Sequence, residues 1–93
     1  MEQRKILVGY VLTSTLRKLV LETLAKRGVL RQTQLARAIK KRQQNVSVVL
    51  RELERNGLVE CLTPNKKAWK AYELTQLGKE VLREAKRLTK AGF

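Results

Sequence analysis

A chain of 93 residues, 43% of them hydrophobic, suits one small domain with a packed core and is too apolar for a disordered tail. Its 21 Lys and Arg stand against 8 acids, all Glu, for a net charge of +13 with no His. One Cys, no His and no Asp exclude an internal disulfide framework, a metal cage and a Ser–His or Cys–His nucleophile pair. No catalysis and no cofactor is therefore expected, and the charge excess favours a polyanion as partner.

In chain order, residues 1–5 are polar and read as loose. Residues 6–12 are apolar, broken by Gly9, and open between a strand and a first helical turn. They are far too short to span a bilayer, and no small-residue cleavage site follows, so an intracellular, cytoplasmic protein is expected. Thr13 or Ser14 can cap a helix running to about Arg27, with Leu16, Leu19, Val20, Thr23 and Leu24 on the helical template. Gly28 stops it.

"GVLRQ" can form a short strand, and "TQLARAIKK" reads as a helix with Thr33 as N-cap and Leu35, Ala36 and Ile39 inward. "KKRQ" is a turn. The next helix runs from residue 44 or 45 to 56, carries Val46, Val49, Leu50 and Leu53 inward, and closes at Asn56–Gly57. "LVECLT" and "KAYELT" pair as strands across the turn "PNKKAW". Thr75 can cap a last helix to about Lys90. The order predicts a mostly helical α+β fold, a single winged helix-turn-helix domain over residues 1–93 with the hairpin as wing.

Residues 35–59, "LARAIKKRQQNVSVVLRELERNGLV", resemble the core of winged helix-turn-helix regulators of the MarR and ArsR type. Leu35, Ala36, Ile39, Val46, Ser47, Leu50, Leu53, Gly57, Leu58 and Val59 fall on that pattern without a gap. "YVLTSTLRKLVLETL" and "VECLTPNKKAWKAYELTQLGKEVL" resemble the flanking parts of archaeal members, so the likeness runs from about Tyr10 to Leu88. Two departures stand out. The turn that usually reads Gly, apolar, Ser is Lys40, Lys41 and Arg42, and a left-handed Lys40 would cost about 1 kcal/mol against Gly. Trp69–Lys70 replaces the usual Gly-Arg near the wing tip.

The resemblance implies DNA contacts at the helix of residues 44–56. Its outward stripe is Gln44, Val48, Arg51 and Arg55, flanked by Ser47. Arg can donate twice to guanine, Gln can pair with adenine, and Val can touch a thymine methyl. Thr33, Lys40, Lys41, Arg42, Gln43 and Asn45 are candidates for phosphate. Lys66, Lys67 and Lys70, on a wing of residues 63–72, can follow the adjacent backbone or a minor groove. Trp69 reads as a hairpin anchor, and Arg31 and Arg37 can extend the basic surface.

The apolar flanks exceed what one winged module needs. Leu77, Val81, Leu82, Ala85 and Leu88, on a helix of residues 76–90, together with Ile6, Val8 and Tyr10, are candidates for a homodimer contact. Cys61 reads as a small core residue. The function expected is a double-stranded DNA-binding transcriptional regulator acting at the nucleoid, with no identifiable small-molecule ligand. The alternatives are a sequence-tolerant chromatin protein of the same fold, or an RNA- or protein-binding winged helix.

Overall fold

A computed structural model describes residues 2–67 and 69–89. Within them the chain forms α1 (Glu2–Leu12), α2 (Thr15–Arg27), β1 (Leu30–Arg31), α3 (Gln32–Ile39), α4 (Gln43–Arg55), β2 (Val59–Cys61), β3 (Ala71–Leu74) and α5 (Gln76–Leu88). Met1, Ala68 of the expected wing and Lys90, the expected end of the last helix, lie outside the described residues. No helix among the described residues is long and apolar enough to cross a membrane.

The mostly helical α+β fold expected from the sequence is the fold observed, with two corrections at the front of the chain. Residues 2–5 are not loose, and 6–12 are neither strand nor single turn: together they form α1. Leu7, Val8 and Val11 bury one edge of this helix, and Arg4 reaches Glu80 of α5 at 2.6 Å. Packing against α5 thus supplies what local sequence lacks, because Gly9 and three β-branched residues are poor helix formers.

The second correction concerns α3. Thr33 is not its N-cap. β1 passes directly into the helix at Arg31, whose N–H donates to Gln34 Oε1 at 2.8 Å. Ser14 does cap α2, accepting from Arg17 N–H at 3.2 Å, and Thr75 caps α5, accepting from Gly78 N–H at 2.9 Å.

The three short strands form one antiparallel sheet in the order β1–β3–β2. Leu30 pairs with Tyr72, Val59 with Leu74, and Cys61 with Tyr72. The core lies between this sheet and the helices, with Val20, Leu21, Leu35, Val46, Leu50, Leu53, Leu58 and Val81 fully buried. Truncating one of the buried leucines to Ala would cost about 2–5 kcal/mol.

Thr75 also donates from Oγ1 to the Gly57 carbonyl at 2.6 Å, and its N–H donates to the Leu58 carbonyl at 3.1 Å. The start of α5 is thereby fastened to the exit of α4. Gly57 turns with φ 75°, and its N–H donates to the Glu54 carbonyl at 3.0 Å. The apolar stripe of α4 faces this framework, which turns its other side outward.

Candidate nucleic-acid interface

Helix α4 sits on the surface by virtue of its sequence period. Val46, Val49, Leu50 and Leu53 are buried, while Gln44, Val48, Arg51 and Arg55 are exposed and Ser47 is half-buried. Val48 keeps half of its surface in solvent, at 50%. A shallow open hollow is lined by Gln32, Gln43, Gln44, Ser47, Val48 and Arg51. Gln32, at the start of α3, carries no sequence signal for this role. Only the direct passage from β1 to α3 brings it beside α4.

The acids of α4 are disposed unequally. Glu52 is held by Arg17 of α2, with the guanidinium nitrogens 3.4 Å from Oε1. It pairs across helices rather than with the cations of its own helix. Among the described residues neither Arg51 nor Arg55 forms an ion pair. Two guanidiniums on this face therefore remain available to an anion.

The turn into α4 is made by Lys40, Lys41 and Arg42, all exposed. Lys40 adopts the left-handed conformation, φ 58° and ψ 47°, where Gly is the usual occupant. Its N–H and that of Lys41 close α3 onto the Arg37 and Ala36 carbonyls at 3.3 and 3.0 Å. Arg42 occupies the N-cap position of α4 and makes no side-chain cap hydrogen bond. α4 begins at Gln43, one position earlier than expected, and its opening N–H groups with Gln43, Gln44 and Asn45 exposed have the chemistry of an anion site. Thr33 lies half-buried in the first turn of α3.

The wing is tied by Thr63, which accepts the Ala71 N–H at 3.0 Å and donates to the Trp69 carbonyl at 3.4 Å. The Leu62 N–H donates to the Ala71 carbonyl at 2.8 Å. Trp69 is flanked by two cations, Arg31 at 5.1 Å and Lys66 at 5.3 Å from its ring centre. It therefore ties the wing loop to β1 through cation–π contact instead of filling the core. Lys66 and Lys67 are exposed, and Lys70 is half-buried with its carbonyl accepting the Gln32 N–H at 3.0 Å. Sequence alone marks Arg31 only as an extension of the basic surface, and its stack on Trp69 depends on β1 pairing with β3.

The expected dimer residues divide. Val81, Leu82 and Ala85, with Val8 of α1, are buried inside the chain's own core. Leu77 and Tyr10 are half-buried, the latter beneath the Arg17 guanidinium at 3.7 Å. Ile6 and Leu88 remain 70% and 61% exposed, on two helices that pack together. Cys61 is free and half-buried.

Residues 13–64 match the model of the MarR family. No curated protein matches the chain. A mutant MarR from E. coli is similar at 19% identity with a TM-score of 0.77, over 96% of this chain and 68% of that one. A mutant MarR from E. coli complexed with operator DNA is similar at 20% identity and a TM-score of 0.74, over 95% and 66%. The transcriptional regulator BldR from Sulfolobus solfataricus is similar at 23% identity and a TM-score of 0.73, over 84% and 56%. At these identities the likeness is one of fold, and the chain spans between about half and about two thirds of the length of these structures.

Proposed function

Because the chain belongs to the MarR family, we propose that it is a double-stranded DNA-binding transcriptional regulator. The observation that carries this reading is the outward face of α4. Gln44, Val48, Arg51 and Arg55 lie exposed together, and neither guanidinium is claimed by an acid of the described chain. A helix of this width enters a major groove, where these side chains have partners on base edges. Lys40, Lys41 and Arg42 neutralise phosphates beside the helix start, and Lys66, Lys67 and Lys70 follow the neighbouring backbone or minor groove. Phosphate contact supplies affinity, and α4 supplies specificity. Occupying a promoter then blocks or recruits the transcription machinery.

The chain acts as a homodimer in this reading. Ile6 and Leu88, exposed on the paired helices α1 and α5, offer an apolar seam to a second copy. A two-fold dimer sets two recognition helices about 34 Å apart on successive turns of the duplex. A nucleoid-associated, cytoplasmic setting follows from the ligand. An archaeal source is the reading of the flanking segments quoted above.

Titration of a duplex selected from a random pool against unselected DNA, at several salt concentrations, tests the reading. A regulator keeps a preference of about 10³ or more for the selected site. Equal affinity for both assigns the chain to the chromatin class instead. Preference for RNA over duplex in competition, or no retention of duplex in dilute salt, overturns the proposal.

A further inference from the structure

We infer that the protein carries a second duplex-binding surface, formed by Lys26 and Arg27 at the end of α2 and by the stripe Lys79, Arg83 and Lys86 on α5. This rests on the DNA-binding reading above and extends it: one molecule holds one duplex at α4 and contacts another from behind.

The five cations line two adjoining hollows that share Ala25 and Lys86. All five are exposed, and none forms an ion pair among the described residues. Glu22 is the single acid among the residues lining either hollow. Glu22 belongs to α2, and the two acids of α5 are already engaged, Glu80 by Arg4 and Glu84 by Arg87. The surface therefore carries a net positive charge that the chain itself does not neutralise.

The fold does not ask for this arrangement. Lys79 sits in the first turn of α5, where the helix dipole disfavours a cation. Lys79 and Arg83 are four apart, and Arg83 and Lys86 three apart, so like charges face each other along one stripe, which is unfavourable for an isolated helix. Lys26, Arg27 and Lys86 do lie in last turns, where the dipole favours them. The Lys79–Arg83 half has no such support from the helix, and a polyanion would supply it.

The surface also lies apart from the first site. None of the residues lining the two hollows belongs to α4 or to the wing loop between β2 and β3, and the nearest approach is through the apolar Leu74 at the end of β3 and Ala38 of α3. Arg31 pairs with Ala71 at the wing side of the sheet and Leu30 with Tyr72 one step further back. The chain before Leu30, including Lys26 and Arg27, thus leads away from the wing. Along α5, Lys79 to Lys86 spans about 10 Å of helix axis, close to the rise of three nucleotides in one strand at roughly 3.4 Å each. Spaced cations on a shallow surface suit a phosphate backbone and read no sequence.

The test uses the full chain. A selected duplex is fixed to beads and loaded with protein, excess protein is washed away, and a labelled unrelated duplex is added in dilute salt. The wild type should capture the labelled duplex, with capture falling as salt rises. The variant K79Q/R83Q/K86Q should hold the fixed duplex within about twofold and capture the labelled one at least about fivefold less. The variant K26Q/R27Q, on a different helix, should shift capture in the same direction, which separates a lost surface from a misfolded α5. Three results overturn the inference: no capture by wild type, capture by the variants equal to wild type, or equal loss of fixed and labelled duplex, which would mean one continuous surface. Failure of the wild type to hold even the fixed duplex would sink the DNA-binding reading along with it.

Discussion

Arg17 and Glu52 join α2 to α4 through guanidinium nitrogens 3.4 Å from one carboxylate oxygen, while the same guanidinium lies 3.7 Å above the Tyr10 ring. It also donates to the Tyr10 carbonyl at 2.9 Å. One side chain thus connects α1, α2 and α4, and it draws the carboxylate of Glu52 towards α2. The ion pair itself is partly solvated and worth less than about 1 kcal/mol. Glu52→Gln should therefore cost under about 1 kcal/mol. Arg17→Ala, which also removes the carbonyl bond and the ring contact, should cost about 1–2 kcal/mol. Denaturant midpoints for both single variants and the double give the coupling directly. A coupling above about 2 kcal/mol would show that the pair is far better shielded than its exposure implies.

Gly78 has no room for a side chain. A Cβ there would stand 2.0 Å from the Leu58 carbonyl oxygen, a backbone atom held by the Thr75 N–H. Gly78→Ala must push α5 away from the exit of α4, and a loss of about 2–3 kcal/mol is expected. Gly9 is the control, since it is exposed on α1 and a Cβ added there would meet nothing within 4 Å. Gly9→Ala should raise stability by about 0.5–1 kcal/mol through helix propensity. Urea titrations with unchanged slope would register both shifts as changes in midpoint.

What the sequence makes legible here tracks how far each signal is local. The stripe Val46, Val49, Leu50 and Leu53, a cap at Thr13 or Ser14, the Thr75 cap and the Asn56–Gly57 stop are short-range patterns, and the structure keeps them with Ser14 as the first cap. α1 is not legible as a helix, because its support comes from α5, through Arg4–Glu80, 76 residues apart in the chain, and through buried Leu7, Val8 and Val11. The α3 start is not legible either, because a strand–helix junction at Arg31, with Gln34 accepting, outcompetes Thr33. At the candidate site, the exposed α4 residues are legible from period alone. The contribution of Gln32, the Arg31–Trp69–Lys66 stack and the capture of Glu52 by Arg17 depend on chain segments far apart in sequence.

Lys40 trades stability for charge. At φ 58° its Cβ crowds the backbone, a strain of about 1–2 kcal/mol that Gly would relieve. Part of the relief returns as extra freedom of the unfolded chain. Lys40→Gly should therefore stabilise the protein by about 0.5–1 kcal/mol in thermal or denaturant unfolding. It should also reduce the salt dependence of DNA binding by about one phosphate contact, a change of roughly 0.9 in the logarithmic slope. A stabilised variant with an unaltered slope would remove Lys40 from the phosphate-binding set.

Burial pushes the Tyr72 phenol from 10.0 up to about 12, reinforced by the neighbouring Cys61 thiol and Glu54, with Arg51 opposing. The folded protein holds this proton more tightly than the unfolded chain. The resulting contribution to stability is complete below pH 10 and disappears as the pH rises from there through about 12. Urea midpoints measured across that alkaline range should fall more steeply for the wild type than for Tyr72→Phe, which has no phenol to ionise. Parallel curves would show that the phenol titrates as freely in the folded protein as in the unfolded one.

Arg51 and the wing lysines should fail in different ways when removed. Arg51 lines the hollow with Gln44, Ser47 and Val48, among groups suited to base edges, so its loss should bear on sequence preference. Lys66 and Lys67 stand exposed on the wing loop, where contact with a uniform backbone carries no sequence information. Arg51→Ala should weaken binding to the selected duplex by about 1–3 kcal/mol while changing binding to random DNA much less. Lys66→Ala with Lys67→Ala should weaken both about equally and flatten the salt slope by about two units. Fluorescence anisotropy on the two duplexes at three or more salt concentrations separates these patterns. Equal losses on both duplexes for Arg51→Ala would take base reading away from this residue and assign it to the phosphate backbone.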